Sequence, residues 1–76
     1  MDVFCVVTGK GTKGAKIVCE TPEGDIAFAV KVIAPHKYDV YSESPPGKYK
    51  TVMYASNLRD LRRRIQEWLK YELGKK

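Results

Sequence analysis

Asp25-Ile26-Ala27-Phe28-Ala29-Val30-Lys31-Val32-Ile33 decides the fold. Ile26, Phe28, Val30 and Val32 alternate with Ala27, Ala29 and Lys31, the period-two pattern of a strand with two unlike faces. Turn signals bound it on both sides. Thr21-Pro22-Glu23-Gly24 precedes it and Ala34-Pro35-His36 follows, with proline and glycine where tight turns accept them.

Working outward, residues 15–20 and 3–8 read as strands, because Ile17, Val18, Val3, Val6 and Val7 are β-branched and interleaved with Cys19, Phe4 and Cys5. The glycine-rich segment Gly9-Lys10-Gly11-Thr12-Lys13-Gly14 joins them. On the other side, residues 38–43 and 48–54 read as strands joined by Ser44-Pro45-Pro46-Gly47. The period then changes. Leu58, Leu61, Ile65, Trp68, Leu69 and Leu73 recur at helical spacing, which predicts a helix over about 58–73. Asn57 is placed to cap its start, with Asp60 completing a near capping box, and Gly74 to end it. The expected fold is α+β: a five-stranded antiparallel meander, either open or curled into a partly closed barrel, with one C-terminal amphipathic helix on one face. Residues 1–76 form a single domain.

The hairpins fix a register. They set Cys5 opposite Cys19, Val7 opposite Ile17, Cys19 opposite Ile26 and Ile17 opposite Phe28. They also set Val30 opposite Val40, Val32 opposite Tyr38, Tyr38 opposite Met53 and Val40 opposite Thr51. One face then collects almost only apolar residues, and a slip of one residue would scatter them. The helix should cover that face. The other face mixes Phe4, Val6, Ala27, Ala29, Tyr41 and Tyr54 with lysines. It is less polar than a solvated sheet face, so a cover or barrel closure is expected over it.

The composition excludes several classes. The chain has 76 residues, 43% hydrophobic and 30% charged, an ordinary globular balance. No run approaches the ~18 apolar residues of a membrane span. The start, Met1-Asp2-Val3-Phe4-Cys5, has no basic leader region, which predicts a cytoplasmic protein. A chain this short barely walls a pocket of ~300 Å³, so no enzymatic activity, small-molecule substrate or cofactor is expected. His36 is the only histidine and no C-x-x-C occurs, which argues against zinc. Scarce Asn and Gln beside abundant Lys, Arg and Glu give a thermophile-like composition.

The formal net charge is +5, which favours polyanion partners. Three places carry the cations. On the mixed sheet face, Tyr41 and Tyr54 stand among Lys31, Lys48 and Lys50; such rings stack on bases while lysines neutralise phosphates. The same residues can equally pair across strands for stability, or meet a second copy of the face. On the helix, Arg59, Arg62, Arg63 and Lys70 fall along one flank, a footprint for a phosphate backbone. That flank also reads as a solvated face with Asp60–Arg64 and Arg63–Glu67 pairs. In the glycine loop, Lys10 and Lys13 decorate a hairpin tip; the Gly-Lys-Ser/Thr ending and helix of a P-loop are missing. Cys5 and Cys19 oppose one another on the core face, at a spacing that a disulfide can span. They can equally be two buried thiols.

Over residues 37–70 the order of elements resembles the transcription-coactivator-type single-stranded DNA binders, which dimerise. It is also similar to the small chromatin proteins of thermophilic archaea. The resemblance is one of architecture and transfers no individual residue; it implies DNA binding. The leading expectation is thus a small basic, non-catalytic nucleic-acid-binding protein, DNA or RNA, that uses the helix flank and the sheet face. The alternative is a protein–protein interaction module, an obligate homodimer or a subunit of a larger complex.

Overall fold

The computed structural model describes residues 2–11 and 14–75. Five strands follow in chain order: β1 (Phe4–Lys10), β2 (Gly14–Thr21), β3 (Gly24–Ala34), β4 (Lys37–Ser44) and β5 (Pro46–Tyr54). One helix, α1 (Leu58–Leu73), ends the chain. The strands form a single antiparallel sheet in the order β1-β2-β3-β4-β5. The sheet is open: β1 and β5 are its edges, and the helix, not strand closure, covers one face.

The expected register is the observed one. Cys5 faces Cys19, Val7 faces Ile17, Ile17 faces Phe28, Val30 faces Val40 and Val40 faces Thr51. Turn chemistry sets it. Thr21 pairs with Gly24, leaving Pro22-Glu23 as the turn, and Thr21 Oγ1 accepts from the Glu23 N–H at 3.1 Å. Gly24 takes φ 114, a conformation that favours glycine. Ala34 pairs with Lys37 around Pro35-His36, and His36 sits at φ 61, the third position of a type II turn. Ile33 is the extra residue that admits this turn, a bulge absent from the simple hairpin count. Gly14 is required for a different reason. A Cβ there would run into the Val30 carbonyl.

The core lies between the sheet and α1. Cys5, Ile17, Cys19, Phe28, Val40, Leu61, Ile65 and Leu69 are fully buried. Burying each such leucine or isoleucine contributes about 1.5–3 kcal/mol. Phe28, Tyr49 and Trp68 meet as three rings with centroids 5.9–6.3 Å apart, tying β3 and β5 to the helix. Asn57 caps α1, its Oδ1 accepting from the Asp60 N–H at 2.9 Å. The Gly74 N–H closes the last turn on Lys70 O.

Two face expectations are corrected. Val32 has core parity but is 44% exposed. Ala29 has outer parity but is buried, flanked across the strands by Lys16 and Tyr41. The cover expected over the outer face is not found among the described residues. Phe4, Val6, Tyr41, Val52 and Tyr54 remain exposed there. No helix is long and apolar enough to cross a membrane.

Candidate nucleic-acid interface

Alternation along β4 and β5 places Tyr41, Lys50, Val52 and Tyr54 on the outer face, away from the helix. Tyr41 lies directly opposite Lys50, and Tyr54 opposite Lys37. Lys37 Nζ stands 5.7 Å from the Tyr54 ring centroid. The two tyrosines are separated by about 13 Å along the strands, four residues of rise. Between them run Asp39 and Val52, with Lys31 on the far side of Asp39. Among the described residues, Lys10, Lys31, Lys48 and Lys50 make no ion pair. Lys48 Nζ lies 5.6 Å from the Tyr49 ring centroid.

Beside Tyr41 an open groove of about 490 Å³ runs to the β1–β2 tip. Lys10, Lys16, Lys31, Tyr41 and Glu43 line it with the loop glycines. Lys16 Nζ donates to Glu43 Oε1 at 2.7 Å, and that carboxylate pushes the lysine's pKa up. Lys16 is therefore locally neutralised, while Lys10 and Lys31 at the groove make no ion pair among the described residues. Lys13 lies outside the described residues.

The structure divides the predicted basic flank of the helix. Arg62 points to the sheet rather than to solvent. Its Nη1 donates to Cys5 O at 3.0 Å and to Gln66 Oε1 at 3.1 Å, and Gln66 Oε1 also accepts from the Cys5 N–H at 3.0 Å. Both outward backbone groups of Cys5 on the edge strand are satisfied this way. Arg63 bonds Asp60 at 2.8 Å, not Glu67 as expected, and Arg64 bonds the same carboxylate at 2.9 Å. With the Ser56 N–H, these donors lower the Asp60 pKa from 3.8 to about 2; the Arg64 bond is the largest cause. Arg59 is exposed and Lys70 half-buried, and neither makes an ion pair among the described residues.

The two candidate surfaces are not adjacent. The helix covers the face of the sheet opposite to Tyr41, Tyr54, Lys31 and Lys50. Phe4 is also remote from these groups. It is 58% exposed on β1, beside Glu20, at least three strand spacings or about 14 Å from Tyr41.

Cys5 and Cys19 are joined as a disulfide, with Cα atoms 4.0 Å apart. Sequence reasoning missed the role of Arg62. At helical spacing it lies between the Leu58–Leu69 stripe and the Arg59 flank, which was the available signal. Among the described residues no three His, Cys, Asp or Glu side chains are placed to hold a metal ion. No protein-family model, curated protein or solved structure matches this chain.

Proposed function

We propose that this chain is a non-catalytic nucleic-acid-binding protein that holds a single strand across the outer face of β4 and β5. The observation that carries the reading is the pair Tyr41 and Tyr54, 37% and 63% exposed on an uncovered sheet face beside unpaired Lys31 and Lys50. Base–aromatic stacking needs an unpaired base, which favours a single strand over a duplex. Lys31 and Lys50 neutralise phosphates alongside the stacked bases, and Lys10 extends the cationic track along the groove; Lys48, whose Nζ stands over the Tyr49 ring on the helix side, is left out of it. Arg59, Arg63 and Lys70 face the other way. They serve a strand that wraps around the molecule, or the general attraction of a +5 protein for polyanions.

Fluorescence anisotropy with single-stranded DNA and RNA at two salt concentrations tests the reading. Lys31→Glu with Lys50→Glu should weaken binding to all sequences and flatten the salt slope by about one unit per lost contact. Unchanged affinity and slope in that variant would remove the sheet face from the account.

A second reading is favoured by the apolar residues of the same face. Phe4, Val6 and Val52 are 58%, 41% and 48% exposed. A protein–protein module would bury them against a partner or a second copy, face to face.

A further inference from the structure

The two edges of the sheet are not equivalent. On β1, the outward N–H and C=O of Cys5 are taken by Gln66 and Arg62, and a bulge after Val7 bends the strand. Both devices discourage a further strand from adding there. On β5 the direction of each backbone group follows from two bonds. The Tyr49 N–H donates to Ser42 Oγ at 2.9 Å and the Ala55 N–H to His36 O at 3.0 Å, both toward β4. Alternation then turns Thr51 and Met53 toward β4 as well, and Lys50, Val52 and Tyr54 outward. Nothing among the described residues bonds those outward groups. The pairing of β4 with β5 runs without a bulge from Lys37–Tyr54 to Tyr41–Lys50, so this part of the edge is straight.

We infer that two copies of this chain join edge to edge through antiparallel β5–β5 pairing about a two-fold axis at Val52, making one ten-stranded sheet. The side chains select the register. Centring on Lys50 would set like charges directly opposite each other, which is unfavourable. Centring on Val52 sets Val52 against its copy and Lys50 against the partner's Tyr54. Each Lys50 then gains a cation–π neighbour of the kind Lys37 already makes with Tyr54 within one chain. The outward groups of Lys50, Val52 and Tyr54 form about six ladder bonds in this register. Val52 and Tyr54, exposed in the single chain, gain cross-strand neighbours. Because the β1 edge is closed at Cys5, assembly stops at two and does not run on into a fibre. This arrangement leaves the outer face open, unlike a face-to-face dimer, and does not depend on nucleic acid.

Light scattering on the purified chain, without nucleic acid and from micromolar to millimolar concentration, tests it. The mass should rise toward twice 8.6 kDa. Val52→Pro removes one outward N–H and no bond to β4. Val52→Lys sets like charges across the axis and leaves an exposed side chain exposed. Each should raise the dimer dissociation constant at least about tenfold, while Val6→Lys, on the far edge of the outer face, leaves it unchanged. Amide exchange at Lys50, Val52 and Tyr54 should slow with concentration in the parent chain only. Should Val52→Pro fail to fold, Val52→Lys decides alone. A chain that stays monomeric throughout, or a dimer that survives Val52→Lys and is lost in Val6→Lys, would overturn the inference.

Discussion

Arg62 reaches across from the helix and donates to the carbonyl oxygen of Cys5 at 3.0 Å. An arginine that by sequence belongs to a basic, phosphate-binding flank thus completes the edge of the sheet. Arg62→Ala should lower stability by about 1–3 kcal/mol, since it strips a donor from a half-buried carbonyl. Nucleic-acid affinity should fall no further than loss of one distant charge requires. Urea denaturation beside anisotropy checks both. A large loss of affinity with unchanged stability would return Arg62 to the binding surface.

Acid should loosen the start of the helix. The Asp60 carboxyl is held at about 2 by Arg64, the Ser56 N–H and Arg63, below its ordinary 3.8. A carboxylate whose pKa is depressed by folding stabilises the fold fully above its unfolded pKa. That contribution fades as pH falls from about 4 toward 2. Melting temperatures across this window should decline less steeply in Asp60→Asn than in the parent chain. Parallel declines would show that another group governs the acid limb.

The Cys5–Cys19 bridge closes a loop with a sequence separation of 14. Constraint of the unfolded chain by a loop of this length contributes about 3 kcal/mol. The double variant Cys5→Ala, Cys19→Ala should lose stability of that order while keeping the sheet's circular dichroism. Intact mass after alkylation under denaturing conditions should show the thiols blocked without reductant and modified with it. Full alkylation without reductant would contradict the bridge.

Much of this fold is legible in the residues because two signals agree. Pro22 with Gly24, and Pro35 with His36, mark turns at the positions that keep Ile17, Phe28, Val30 and Val40 on one face. The hairpin lengths therefore confirm the apolar pattern and fix the register. The bulge at Ile33 is not legible, because it depends on the turn conformation that Pro35 and His36 adopt. The candidate site is legible only as parity. Alternation puts Tyr41, Lys50 and Tyr54 on one face, and the apolar stripe of the helix puts Arg59, Arg63 and Lys70 on the opposite side of the sheet. The Asn57 cap and the Asp60–Arg64 pair are legible, whereas the inward turn of Arg62 and the Arg63–Asp60 pair are hidden for a related reason. Charged side chains on a helix choose among several partners within reach, and spacing alone does not rank the Asp60 carboxylate over Glu67 for Arg63.

The most direct measurement compares Tyr41→Ala with Tyr54→Ala, combined in one chain, against the parent for binding single-stranded oligonucleotides at low and moderate salt. Both side chains are exposed, so the fold should survive, as circular dichroism would verify. Single strands should bind more tightly than duplexes. The double variant should lose about 1–3 kcal/mol for each stacked base, with little change in salt slope. A parent chain that binds no oligonucleotide at low salt, or a double variant that binds as tightly as the parent, would contradict the proposed function.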